Sequence, residues 1–384
     1  AFEKQRGAAG PVHVVRLPGA DMESARIDLR RAEDRGGDVA AVRARIAALE
    51  KKYADLRVRA EAVLAEAGRG ALESQDGAGR PVVSPTLTLV RAWKPNDMDW
   101  SGRAALLLER LGEFVFDDPR EANTEGGLFP AMFGTLVMTV FMSLLVTPFG
   151  VIAAIYLREY AAQGPILRAV RISVNNLAGV PSIVFGVFGL GFFVYVLGGS
   201  VDRLFFADQL KYNNNTPVFG TGGLLWCSLT LALMTLPVVI VATEEALAAV
   251  PRGMREASLA AGASKWQTVR HILLPASAPG ILTGIILAMA RGAGEVAPLM
   301  LVGVVKLAPT LPFDGTAPFL HLDRKFMHLG FHVYDLGFQS PDSDAARPMV
   351  FATTLLLILL VVALNLGAIW IRNRLRRRFR GAAF

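Results

Sequence analysis

An all-α membrane protein with a mainly helical, water-soluble domain at its N-terminal end is the fold class this sequence predicts, on three observations. The 384 residues are 53% hydrophobic and their mean hydropathy is +0.41, too apolar for an ordinary soluble domain. The apolar residues cluster into five stretches, each near the 20 or so consecutive apolar residues that a bilayer core demands of a helix. The first 125 residues, by contrast, are rich in charge and carry one helical apolar stripe.

The five stretches run roughly from Leu128 to Leu157, Asn176 to Leu197, Leu224 to Ala242, Ala276 to Gly303 and Met349 to Ile371. Four of them hold no Asp, Glu, Lys or Arg, and the remaining one holds only Arg291 and Glu295. Residues 1–125 form the soluble domain and residues 126–384 the membrane domain. Within the former, Val39, Val42, Ile46, Leu49, Tyr53, Leu56, Ala60, Val63 and Ala67 keep a three-and-four spacing. That spacing predicts a helix from roughly Asp38 to Ala67, with Gly36-Gly37 and Gly68 as its stop signals. A hairpin with a helix over Asp21–Arg35, or a coiled coil with another chain, would bury the stripe. Pro81 to Pro85 reads as a short strand or an extended linker. Trp93 to Trp100 mixes aromatic and polar residues as segments at a lipid interface do. The single cysteine, Cys227, has no internal disulfide partner and suits small apolar packing.

Between the third and fourth stretches lies EASLAAGASKWQTVRHILLP, residues 256–275. Ala257, Ala260, Ala261 and Ala263 are small enough for close approach to a partner. Gly262 permits a tight turn, Pro275 can open the helix that follows, and Glu256 is placed to cap or to bridge to a basic residue. The order Glu256-Ala257-Ser258, Gly262, Ile272, Leu274-Pro275 resembles the EAA loop of ATP-driven bacterial importers. In that family the loop docks into a separate ATPase subunit, so the resemblance implies a coupling loop over 244–275.

With that loop in the cytoplasm, loops 158–171 and 244–275 and the tail after Ile371 hold 13 Lys and Arg, against 6 in the opposite loops 200–221 and 304–347. The bias matches the positive-inside rule. The net charge of +7 therefore sits beside the apolar stretches and reports topology, not a basic stripe for nucleic acid. The six arginines from Arg372 to Arg380 suit anionic lipid headgroups. Traced backwards, the alternation of spans puts residues 1–127 outside the membrane, so a further span upstream of Ala1 is expected.

Arg291 and Glu295, four residues apart, are expected on one helical face inside the membrane. Buried there, each would cost about 2.5–3.5 kcal/mol on insertion scales. Such a pair either locks two helices or serves as an anion site, where the guanidinium forks onto an oxyanion and the carboxylate accepts from a protonated oxygen. Gly292 and Gly294 would allow close approach, and Pro298 would weaken the helix just beyond. In NNLAGVPSIVFGVFGLG, residues 175–191, Asn175 and Asn176 enter the second stretch. Its glycines suit close helix packing, and Pro181 would leave a carbonyl free.

NNLAGVPSIVFG, the EAA-like loop and RGAGEVAPLM follow one another as in phosphate-specific importer permeases. LPFDGTAPF and VYDLGFQSPDSDAARPMVFATTLLL are similar to the PstA-type subunit more than to its PstC-type partner. The resemblance covers about residues 125–384. It implies a MetI-like six-span permease with five spans present here, Arg291 and Glu295 on the substrate pathway, and Glu256, Ala257, Gly262, Ala263, Ile272, Leu274 and Pro275 in ATPase coupling. It further implies a PstC-type permease partner, PstB-type ATPases inside, a PstS-type phosphate-binding protein outside, and no cofactor or metal in this chain, ATP and Mg belonging to the ATPase. The sequence indeed lacks a G-x-x-x-x-G-K-[ST] phosphate loop.

Three other readings remain at this level. A permease for sulfate, molybdate or tungstate would have little use for Glu295. A membrane enzyme is disfavoured by the lack of HExxH, GxSxG and intramembrane His. His321, His328 and His332, near Asp323 and Asp335, match no metal spacing and are expected to be solvated surface residues. A sensory protein would make the N-terminal domain its working part.

Overall fold

The computed structural model describes residues 19–75, 79–86, 97–120, 123–213, 215–315, 319–340 and 343–380. Contacts divide the chain into two units, Ala1–Ala104 with Ala207–Thr216, and Ala105–Phe206 with Pro217–Phe384.

In the first unit, helices Gly19–Arg35 and Val39–Ala67 form a hairpin. Gly36 turns it at φ 74°, a conformation that costs a side chain about 1–2 kcal/mol. Asp38 caps the second helix by accepting from the Ala41 amide at 3.0 Å. Arg43–Glu33 at 3.0 Å and Arg45–Asp28 at 3.6 Å bridge the two helices. Val39, Val42, Ile46, Leu49 and Leu56 are half-buried, as the stripe predicts, but Tyr53 and Val63 are exposed. The reason is length: a 17-residue helix cannot cover a 29-residue one. Pro81–Pro85 is a strand, paired antiparallel with Ala71–Gln75, so the linker alternative falls. Helix Ala207–Tyr212 belongs here too, through Asp208 to Arg35 and through Lys211 and Tyr212 to Asp34. Of the aromatic segment 93–100, residues 93–96 lie outside the described residues, and Trp100 begins helix Trp100–Phe116 as an exposed side chain.

The second unit is a bundle of five helices long and apolar enough to cross a membrane: Phe129–Tyr160, Ser182–Phe205, Leu224–Ala248, Lys265–Ala293 and Ala346–Arg374. The third is the core, with 67% of its most apolar stretch buried, whereas the fifth has 6% and presents nearly its whole surface outward. Lipid is as apolar as leucine, so close packing rather than the hydrophobic effect holds such helices together. Glycines provide it. A Cβ on Gly150 would lie 2.6 Å from Val239, one on Gly280 2.5 Å from Ala246, and one on Gly284 2.5 Å from Ala242. Gly186 and Gly189 are used the same way, against Pro298 and Thr230, while Gly191 faces open space. Cys227 is buried in this core, as its packing role requires. Thr135, Thr139, Ser143 and Thr147 each donate to the carbonyl four residues back, at 2.6–2.7 Å. These hydroxyls are thereby satisfied without water.

Two boundaries differ from the sequence expectation. Asn175 and Asn176 close a separate helix, Pro165–Leu177, and the second apolar helix starts at Ser182, capped by Pro181 at φ −55°, ψ 135°. The residue before a proline resists helical geometry, so Pro181 opens this helix instead of interrupting it. The fourth apolar helix begins inside the EAA-like loop and stops at Ala293, not at Gly303. Three helices contain wide π turns, at Tyr156–Tyr160, Gly189–Gly198 and Val269–Leu273.

Candidate permeation and coupling site

The antiparallel register set by Gly280 on Ala246 and Gly284 on Ala242 carries Arg291 level with about Thr235 along helix Leu224–Ala248. Gly292 abuts Met142, in the middle of Phe129–Ile155, where a Cβ would lie 2.4 Å from its sulfur. The arginine therefore sits at mid-depth of the bundle. The four-residue spacing predicts one shared helical face, but Glu295 lies beyond the helix, which ends at Ala293. The amides of Gly294 and Glu295 turn back to the carbonyls of Arg291 and Gly292, both at 3.3 Å. Pro298 then lies in the first turn of a new short helix, Ala297–Val302, so it starts a helix and weakens none.

Arg291 Nε lies 3.8 Å from Glu295 Oε1, beyond hydrogen-bond reach, with the side chains 37% and 22% exposed. The pair joins two positions in one segment, so it locks no two helices together. A guanidinium with five fixed donors is left accessible at mid-depth, beside an acceptor-only carboxylate. Gly292 is consumed by packing, while Gly294 meets nothing closer than 3.8 Å. Only the second of these glycines leaves room beside the pair.

The EAA-like loop folds as helix Arg252–Ala260, a turn, and helix Lys265–Thr268, which runs through the π turn into Leu274–Ala293. Gly262 makes the turn at φ 85°. Ser264 and Gln267 form a reciprocal capping box, 2.7 and 3.3 Å, which satisfies two amides at the new helix start. Pro275 opens no separate helix. It stands in the first turn of Leu274–Ala293, directly after the π turn. The inner face of the loop packs Val250, Val269 and Leu273 on Ile155 and Leu247. Its outer face leaves Met254, Leu259 and Trp266 exposed. Glu256, Ala257 and Gly262 are exposed as well, and Ala263, Ile272, Leu274 and Pro275 are half-buried. Glu256 makes no ion pair among the described residues. A shallow concavity lined by Ser258, Ala261, Gly262, Gln267, His271 and Ile272 completes this face.

Sequence reasoning missed what anchors the loop. Arg255 reaches Glu159 at 2.9 Å and the Leu247 carbonyl at 2.6 Å. Arg171 pairs with Glu244 at 3.0 Å. The available signal was the recurrence of single charges at the ends of the apolar stretches, but the partners are too far apart in sequence to be matched.

The histidines overturn one expectation. His328 and His332 are buried, not solvated, and His321, largely covered as well, pairs with Asp314 at 3.1 Å. Burial pushes His328 down to about 3. Burial also takes His332 down to about 4, against the opposing pull of Asp335. Both imidazoles are held neutral. Among the described residues no group of three or more His, Cys, Asp or Glu is arranged to hold a metal ion.

The model of the binding-protein-dependent transport system inner membrane components matches residues 146–381. The chain belongs to that family and is a multi-pass permease of the inner membrane. It is 30% identical over 274 residues to the probable ABC transporter permease protein YqgI of Bacillus subtilis, covering 69% of this chain and 84% of that one. It is 35% identical over 256 residues to the phosphate transport system permease protein PstA 1 of Mycobacterium tuberculosis, covering 66% and 72%. It is 38% identical over 198 residues to PstA of Mycobacterium leprae, where the match covers 51% of this chain and 58% of the relative.

Proposed function

We propose that the chain is a membrane-spanning subunit of an ATP-driven phosphate importer, which passes inorganic phosphate to the cytoplasm by alternating access. The observation that carries the reading is the accessible Arg291 at mid-depth with Glu295 beside it. A guanidinium fork suits two oxygens of hydrogenphosphate, and Glu295 can accept the proton that sulfate lacks. The likeness to permeases named for phosphate transport supports the same substrate.

In this reading the exposed face of 252–275 docks a PstB-type ATPase, with Glu256, Ala257, Gly262 and Ala263 at the contact and Ile272, Leu274 and Pro275 leading into the moving helix. The ATPase binds ATP and Mg, so this subunit performs no covalent chemistry. A PstC-type permease faces Arg291 across the pathway, and a PstS-type protein delivers the anion from outside. The Lys and Arg bias orients the coupling loop and C-terminus inward and puts residues 1–125 in the periplasm.

The test is ATP-driven uptake of labelled phosphate and sulfate by the whole complex in vesicles, with Glu295→Gln alongside. The altered complex should lose its preference for phosphate. If Glu295→Gln still prefers phosphate to sulfate, the selectivity account is wrong. If the unaltered complex carries sulfate, molybdate or tungstate and not phosphate, the substrate assignment is wrong.

A further inference from the structure

Two half-buried arginines staple the same pair of helix ends from different sides. Arg255, on helix Arg252–Ala260, reaches both Glu159 in the π turn that ends the first apolar helix and the Leu247 carbonyl near the end of the third. Arg171, on helix Pro165–Leu177, reaches Glu244 near the end of the third helix and leans on the Leu157 carbonyl in that same π turn, at 3.4 Å. Arg255 and Glu159 are only 23% and 13% exposed.

The apolar contacts of Ile155, Leu247, Val250, Val269 and Leu273 already hold the loop against the bundle. Such contacts are non-directional and let surfaces slide. A guanidinium on a carboxylate is directional and fixes one register. The two kinds of contact therefore divide the work, one holding the loop and the other setting where it sits. The joint is also short of its best geometry. Arg255 Nε is buried without an acceptor, and Glu159 Oε1, though near Arg255, lacks hydrogen-bond alignment with it. Beside the joint lies a cavity of about 310 Å³, lined by Leu157, Arg171, Asn175, Ile240, Val241 and Glu244 among others. It leaves room for helix Pro165–Leu177 to shift, and the far end of that helix is the break at Ala178–Pro181.

We infer that Arg255–Glu159 and Arg171–Glu244 are positioning pairs that transmit movement of the 252–260 helix to the first apolar helix and to the break at 178–181. This rests on the reading of 252–275 as the ATPase-coupling element. Neutralising a pair leaves the loop packed but lets it slip, so ATP is hydrolysed without matched transport.

The experiment uses the whole complex in vesicles and reads anion uptake and ATP hydrolysis together, for Arg255→Met, Glu159→Gln and the exchange Arg255→Glu with Glu159→Arg. Arg171→Met is measured in parallel. Each single change should lower uptake per ATP about tenfold, within the usual range of coupling between sites, while hydrolysis is retained. The exchange should recover a large part of the ratio. A proportional fall of uptake and hydrolysis, or an unchanged ratio, overturns the inference. If a single variant fails to assemble, the exchange decides: restored assembly and ratio support the link, and anything less overturns it. Should the unaltered complex carry another oxyanion, the substrate reading fails while this ratio is still read with that ion.

Discussion

The segment from Arg252 to Glu295 has an ion pair near each end, and the two are built in opposite ways. Near its start, Arg255 meets Glu159 at 2.9 Å with both side chains largely covered. At its finish, Arg291 stands 3.8 Å from Glu295 and more than a third of the arginine is exposed. Charges inside a protein are expensive unless matched. The first pair is close and covered, though Arg255 Nε and Glu159 Oε1 keep no hydrogen-bond partner among the described residues. The second is looser and more open, although it lies at mid-depth of the bundle. What separates the two is how closely the charges meet and how far each pair is covered.

The largest effect expected on that contrast is at Arg291. Arg291→Ala should cut uptake about 100-fold, the worth of two charge-assisted hydrogen bonds, with little change in melting temperature. Arg291→Lys should recover only part, because a point charge cannot fork. Full transport by Arg291→Lys would erase the distinction drawn for the open pair. Next comes Arg255→Met, which should destabilise the subunit by about 2–3 kcal/mol. That is less than the 3–5 kcal/mol typical of a fully buried pair, because some solvent reaches it. A melting curve unchanged by Arg255→Met would put the two pairs in one class.

A third test concerns His328 and His332, buried with ring nitrogens left unpaired among the described residues. His328 and His332 take up protons at about 3 and 4 when folded, whereas an unfolded histidine does so near 6.5. The unfolded chain therefore binds protons first as pH falls. Their contribution is complete above about pH 6.5 and is lost progressively towards pH 4 and below. Thermal unfolding followed from pH 8 to 4 should show this decline, and His332→Phe should flatten it. The smallest effect is Gly262→Ala, which forces a Cβ into φ 85° at a cost of about 1 kcal/mol. It should slightly loosen the loop without touching anion preference.

The apolar helices were legible because a bilayer allows few alternatives to a long apolar helix, and helix Val39–Ala67 because its stripe and both stop signals agree. The misplacements share a cause. Helix Pro165–Leu177 is amphipathic and runs straight up to the Pro181 break, so its last polar residues were read as part of the span. The pattern from Ala276 to Gly303 continues through a real helix end because the apolar run does not pause there, although Gly292, Gly294 and Pro298 marked the place. His328 and His332 were read as solvated because polar residues between apolar stretches usually are, and only packing reveals that these two are not. Arg291 and Glu295 stood out as lone charges in an apolar stretch. Arg255, Glu159, Arg171 and Glu244 did not, because charges at helix ends are ordinary.

The π turn at Val269–Leu273 places a constraint on descent. A wide turn holds one residue more than an ordinary turn of helix. Losing that residue would let the winding close to an ordinary turn, which still completes one revolution, so the helix beyond would keep its facing. Losing one from an ordinary turn further on would shorten the helix by about 1.5 Å and rotate all that follows by about 100°. Arg291 would then point at a different neighbour although no side chain near it had changed. Lineages that keep the guanidinium in place can therefore give up the extra residue of the π turn, but must keep the count from Leu274 to Arg291 fixed.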